Sequence, residues 1–323
     1  MAASVTTAAT TMVPSPDLLG VASGAGIQPN GRAEPSLRQD LRRIPSMRNA
    51  LAVASTYLQT IVIFVLAGWL GPWSWLPALL LLGRSHAQLA ALMHESAHRL
   101  FFRNRAVNDW VGRWLVGYPG FVPTDAYRRV HMAHHRQEFG PDEPDRALYD
   151  GYPITSASMR RKLVRDATGR TGWKLLKPQL LAVGSRDGRA RRTVLSILAV
   201  QLVLLGMLTL FGQPWLYLLW IGSFLTVWRV INRLRAIAEH GGMRASPDRR
   251  ETTHTVRQQS LARFAMVPYH IGWHLAHHVD SGIPWRNLPR FHRMLAASGY
   301  VTPSIEYPNY RALWRRLGSR PAG

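Results

Sequence analysis

Two long stretches of the chain, Asn49 to Gly83 and Thr193 to Trp228, carry no charged side chain. Each is about twice the ~20 apolar residues that cross a bilayer once. Each is also broken near its middle, by Gly71-Pro72 in the first and by Gly212-Gln213-Pro214 in the second. Glycine and proline in such pairs punctuate helices. The pattern predicts two helical hairpins, with spans over about 49–70, 72–92, 194–211 and 214–235. Trp69, Trp73 and Trp75 flank the first turn, where a membrane interface favours tryptophan. Runs this long without charge argue against a pair of core helices in a soluble protein.

The rest of the chain is polar or amphipathic. Residues 1–45 are rich in Ala, Ser, Thr, Pro and Gly, with no apolar core like that of a signal peptide before Arg32, which predicts a disordered cytoplasmic tail. Residues 46–305 form the main body, and 306–323 read as a basic C-terminal tail. Val107 to Tyr118 is apolar and aromatic but too short to span, as an interfacial helix would be. Pro123-Thr124-Asp125 reads as a helix start. The acidic turn GPDEPD at 140–145 reads as a solvated loop, and the basic, amphipathic stretch from Met159 to Arg192 suits a membrane surface. Arg84 and His86 sit about a turn beyond the apolar run. Arg84 reads as reaching toward headgroups, with a place on a substrate path as the sharper alternative.

Charge then orients the hairpins. The net charge of +22 comes almost wholly from arginine, since only Lys162, Lys174 and Lys177 are lysine. The two tight turns carry neither Lys nor Arg, so by the positive-inside rule the polar segments and both termini lie in the cytoplasm. That distribution fits anionic lipid headgroups and argues against nucleic acid. The chain has no cysteine, which leaves histidine and carboxylate to hold any metal.

Nine of the thirteen histidines fall in four places: His94 and His98 in HESAH, His131, His134 and His135 in HMAHH, His240 after Glu239, and His274, His277 and His278 in HLAHH. Residues three and four apart are neighbours on a helix, so each cluster presents its imidazoles on one face. Nine imidazoles exceed what one ion uses and suit two ions with four or five ligands each. Glu95 and Glu239 are placed to orient those ligands from behind. HESAH is also literally HExxH, the zinc-protease pattern with Glu95 as general base. That reading leaves the other seven histidines without a role. A metal transporter would need ligands through the depth of the membrane, whereas every cluster lies at or beyond a cytoplasmic helix end.

The set HESAH, HMAHH, AEH and HLAHH, with four spans among them, resembles the membrane fatty acid desaturase and hydroxylase superfamily, in its bacterial desaturase type. The stretch IGWHLAHHVDSGIPWRNLPRFH looks like the last histidine box of that family, and RLRAIAEHGG and RDATG look like its bacterial members. The resemblance covers about residues 50–300. It implies an all-α integral membrane protein, with four transmembrane helices in two hairpins and a helical cytoplasmic cap holding a histidine-rich di-metal site. It further implies two iron ions with dioxygen as co-substrate, a lipid or fatty acyl substrate, and a place in a bacterial inner or plasma membrane. Desaturation is the expected reaction; hydroxylation and carotenoid ketolation are the alternatives within the superfamily. Acyl-CoA desaturases carry an asparagine four residues before the lone histidine, and here that position is Ala236, which points away from that branch.

Such a reaction needs two electrons per cycle. The sequence has no dinucleotide fingerprint, no fused haem domain and no cysteine for an iron–sulfur cluster. A separate donor, ferredoxin-like or a haem protein, with its own reductase is therefore expected. Arg128, Arg129, Arg136, Arg160, Arg161, Arg286 and Arg290 are the expected basic docking face.

Overall fold

The computed structural model describes residues 12–141, 143 and 145–321. The first eleven residues of the expected tail lie outside them. From Met12 onward that segment is packed, which corrects the expectation of disorder. Met12, Ile27, Ala33 and Leu41 are buried, and α1 (Pro35–Leu41) begins with a proline in its first turn, a position where the missing N–H costs nothing.

Two long helices follow, α2 (Ser46–Leu70) and α3 (Trp75–Ala97), joined by one 3-10 turn at Gly71–Ser74. Gly71 has φ +67°, a conformation that costs glycine little. The chain then forms α4 (Arg105–Val111), which continues as a π-helical turn at Gly112–Gly117. Next come α5 (Thr124–Arg136), α6 (Ser156–Ala167) and α7 (Arg170–Leu181). The second apolar stretch holds α8 (Gly188–Leu210) and α9 (Leu216–Leu225), continued by α10 (Val227–His240). Short helices α11 (Arg249–Thr252), α12 (Ser260–Ala265) and α13 (His274–Val279) precede α14 (Leu288–Ala297) and α15 (Tyr310–Leu317). Among the described residues the strands are β1 (Thr255–Val256) and β2 (Glu306–Tyr307), paired in parallel.

Helix α3 is the axis of the fold, packed against α2, α9 and α10. Gly83 permits a close approach of α10, because a Cβ there would run into Val227. The outer faces of α2 and α8 are apolar and uncovered: Leu58 and Val65 on α2 are each 63% exposed, as is Val203 on α8. Two stretches, Pro35–Ala97 (mean hydropathy 2.0) and Gly188–Leu210 (2.3), are long and apolar enough to cross a membrane. The expected fourth span is not one continuous helix. Thr226, at φ −115° and ψ −81°, breaks it into α9 of 10 residues and α10 of 14. Both are shorter than the ~20 residues of a single crossing.

The C-terminal residues are no loose tail. Helix α15 buries Tyr310, Leu313 and Leu317 against α10, and the Trp314 indole N–H donates to the Leu234 carbonyl at 2.9 Å. The amphipathic stretch from Met159 becomes α6 and α7, with Trp173 and Leu181 exposed. Asp166 is fully buried and paired with Arg233 of α10.

Candidate metal centre

Four elements deliver the nine histidines. His94 lies in the last turn of α3 and His98 caps it; α5 carries His131, His134 and His135; α10 ends on His240; α13 carries His274, His277 and His278. All nine sequence-predicted histidines come together, and they divide in two. His94, His98, His131, His135 and His277 form one set, with ring nitrogens within 4.8 Å of one another, and His134, His240 and His278 form a second. His274 joins the second set, its Nε2 lying 3.1 Å from that of His240.

The division follows from helical pitch. Residues four apart point the same way, whereas the residue between them is rotated aside. On α5 the i,i+4 pair His131 and His135 serves the first set, and His134 the second. On α13 the roles reverse: His274 and His278 face the second set and His277 the first. Each HxxHH sequence thus contributes rings to both sets.

The donors are arranged for a cation. Nε2 atoms crowd together, at 2.8 Å between His98 and His131 and 3.1 Å for both His131–His135 and His135–His277. Neutral imidazoles have one N–H each, so a ring of nitrogens at this spacing presents lone pairs to a common centre. Both ring nitrogens of His94 and Nε2 of His278 are buried without a hydrogen-bond partner, and buried polar atoms are otherwise almost always satisfied. Burial holds His131, His135, His240, His274, His277 and His278 well below the usual histidine pKa, hence neutral and able to ligate. These residues fit a metal.

Acceptors behind the second set fix its tautomers. Nδ1–H of His134 donates to Glu143 Oε1 at 2.5 Å, that of His278 to Glu138 Oε1 at 2.5 Å, and that of His240 to the Thr252 carbonyl at 2.9 Å. Each of these three hydrogen bonds leaves Nε2 free to point inward. Nδ1 of His274 lies 3.6 Å from Glu239 Oε1 and makes no hydrogen bond. Burial alone would lower the His134 pKa, but the Glu143 carboxylate reverses the direction and raises it. Glu138 is pushed up by burial against the pull of Arg249, whose Nη1 sits 2.5 Å from Glu138 Oε1.

Glu138 and Glu143 were not among the expected site residues. The reading of 140–145 as a solvated loop is wrong for Glu143, which also accepts from the Tyr149 hydroxyl and the Phe139 N–H; Asp142 and Pro144 lie outside the described residues. Glu239 lies near His274 without a hydrogen bond to it and pairs with Arg235 of its own helix, 3.0 Å away. Glu95 is turned away from the histidines and accepts the Trp285 backbone N–H at 3.1 Å, so it holds α3 to the segment after α13. Of the expected docking arginines, Arg128 is tied to Asp109, Arg286 to Asn49 and Arg290 to Asp40. Arg129, Arg136, Arg160 and Arg161 remain exposed. Arg84 neither reaches outward nor stands free; it donates to Gln59, Gln88 and the Phe264 carbonyl.

A helical body with histidine clusters able to hold metal, and two stretches apolar enough to cross a membrane, is the architecture of a membrane-type metal-binding protein. The fatty acid desaturase family model matches residues 71–314, and the chain belongs to that family; it is an oxidoreductase of the fatty acid desaturase type. It is 24% identical over 269 residues to dihydrorhizobitoxine desaturase of Bradyrhizobium elkanii, covering 75% of this chain and 74% of that protein. It is 24% identical over 254 residues to the sn-1 oleoyl-lipid 12-desaturase of a Picosynechococcus strain, 68% of each chain. The sn-1 oleoyl-lipid 12-desaturase of Arthrospira platensis is 38% identical over 80 residues, 23% of this chain and 22% of that one.

Proposed function

We propose that the protein is a membrane-bound, dioxygen-dependent fatty acyl desaturase with two iron ions, one held by His94, His98, His131, His135 and His277 and the other by His134, His240, His274 and His278. The observation that carries this reading is the partition of nine imidazoles, seven of them buried and two half-buried, into sets of five and four. Imidazole without thiolate suits iron, copper, nickel or zinc, and membership of the desaturase family favours iron among them. Two irons with dioxygen supply an oxidant strong enough for an unactivated C–H bond, which acid–base side chains cannot supply. The overall change removes two hydrogens from adjacent carbons; with two electrons, two protons and O2 it yields the alkene and two waters.

The chain's own residues do the positioning. Glu143, Glu138 and the Thr252 carbonyl aim Nε2 atoms inward. A cavity of about 470 Å³ between α2, α3 and α8, walled by Phe64, Leu89, Trp114, Leu204 and Trp220, suits an acyl tail and keeps water from it. The uncovered apolar faces of α2 and α8 support membrane insertion. In this reading α2–α3 and α8–α9/α10 form the two hairpins, with the broken last helix completed by packing on α3. The histidine clusters, both termini and the polar segments then face the cytoplasm, where a separate ferredoxin-like or haem-protein donor docks on exposed arginines such as Arg129 and Arg136. A protease is disfavoured because Glu95, its required base, is committed to the Trp285 N–H.

The test is metal analysis of the purified chain together with lipid mass profiling of cells that express it. About two irons per chain and a product two mass units lighter are expected. A gain of sixteen units would mark a hydroxylase; one zinc without iron would overturn the reading.

A further inference from the structure

Beside the entry to α2, and apart from the histidine clusters, lies an open cavity of about 470 Å³ walled by Arg48, Arg263, Tyr269, His270, Trp285 and Arg286. Three guanidinium groups line one space, and among the described residues none of the three is in an ion pair with a carboxylate. Clustered like charges repel, and the carboxyl that acts on Arg286, Glu95, lies behind the Trp285 backbone and makes no ion pair with it. Burial, and next the neighbouring Arg48 charge, lower the Arg286 pKa.

The pocket is also built. Arg286 is fixed over the Trp285 ring, 4.1 Å from its centroid, and donates to Asn49 Oδ1 and the Arg48 carbonyl. Nδ1 of His270 is buried without a hydrogen-bond partner. Tyr269 and His270 hold φ of +55° and +63°, a left-handed conformation rare for residues with a Cβ and common where a site stores strain. Two consecutive residues in it turn both rings into the pocket wall.

We propose that this pocket binds a phosphate group. Arginine forks match phosphate oxygens with paired donors, and three of them exceed what a single carboxylate uses. The Tyr269 hydroxyl lies 2.5 Å from Thr56 Oγ1, and Thr56 lines the apolar cavity between α2, α3 and α8. One phenol therefore separates a cationic chamber from an apolar one, the division an amphiphile with a phosphate head and acyl tails would occupy. The phosphate of a lipid and that of a soluble molecule share this chemistry, and the experiment separates them. Binding is read without turnover, so the result stands apart from the desaturase assignment.

Isothermal titration of the full chain in neutral detergent uses dioctanoyl phosphatidic acid, dioctanoylglycerol, octanoate and inorganic phosphate. Saturable binding of the phosphatidic acid is expected, with affinity at least tenfold above dioctanoylglycerol and octanoate. Arg48→Gln/Arg263→Gln lowers it at least tenfold, because two charge-assisted contacts are lost. Both side chains are exposed, which favours retention of the fold, and Arg263→Lys, which keeps the charge, recovers part of the affinity. Arg160→Gln/Arg161→Gln, an equal loss of charge on another face, leaves binding within twofold. Competition by inorganic phosphate assigns the site to phosphate alone; its failure to compete assigns the site to the headgroup within a lipid. Equal binding of dioctanoylglycerol or octanoate, an unaffected double variant, or an equal loss in the Arg160/Arg161 control overturns the proposal.

Discussion

Glu138 and His278, 140 residues apart, meet in a 2.5 Å hydrogen bond between a carboxylate oxygen and a ring Nδ1–H, and neither side chain is more than 1% exposed. Arg249 reaches the same oxygen from α11. The bond ties the C-terminal end of α5 to α13, so the two HxxHH helices are held together behind the ligands as well as through them. Contacts of this kind set ligand orientation, and their loss costs about 10–100-fold in metal affinity or activity. Glu138→Ala is therefore expected to release iron to a competing chelator at about 10–100-fold lower chelator concentration. Iron retention equal to wild type at all chelator levels would show that His278 needs no such support.

The interleaving of the two sets gives a sharper test. His277 and His278 are adjacent in sequence but face different sets. His277→Ala is expected to deplete the five-histidine set first and His278→Ala the other, each variant keeping roughly one iron of two, at the stoichiometry expected for four or five ligands per ion. Spectra of the two half-loaded proteins should differ. Identical residual spectra would mean that the sets are not independent sites.

The histidine clusters were legible because HxxHH fixes imidazoles at helical spacing whatever surrounds them. Their partition was not, since spacing gives a face and only the packing of α3, α5, α10 and α13 decides which set each ring joins. Glu143 was unreadable for a related reason: an acidic residue among glycine and prolines looks the same whether solvated or buried on His134. The N-terminal segment misled through composition. Some of its apolar residues, among them Met12, Ile27, Ala33 and Leu41, are buried against a body that a local window cannot see. The break at Thr226 lies inside an unbroken apolar run, where hydropathy carries no record of backbone angle.

Gly83 tests the helix packing. A Cβ at that position meets the Val227 side chain, and overpacking of a tight contact costs about 1–3 kcal/mol. Gly83→Ala should lower the melting temperature in detergent, and adding Val227→Ala should restore most of it. If the double variant melts no higher than Gly83→Ala alone, the close approach of α3 and α10 is not the source of the loss.

His254 gives the protein a pH-dependent term outside the metal centre. It is buried, its Nε2–H donates to the Gly241 carbonyl at 2.8 Å, and burial pushes its pKa down to about 4. Unfolded, the same ring titrates near 6.5. As pH falls below ~6.5 the unfolded chain gains a proton that the folded chain refuses, so folding stability falls with pH. The contribution is fully present above ~6.5 and is progressively lost down to about 4, a total of ~3 kcal/mol at 1.36 kcal/mol per pKa unit. His254→Gln keeps a side-chain N–H for the Gly241 carbonyl but cannot titrate. Melting of the two proteins, each loaded with iron and compared at pH 7.5 and pH 5, isolates the term, because metal loss at low pH affects both alike. Wild type should lose more stability than the variant over that interval, by about 2 kcal/mol for the ~1.5 units below 6.5. Parallel losses in the two proteins would mean that His254 accepts a proton in the folded state as readily as in the unfolded one.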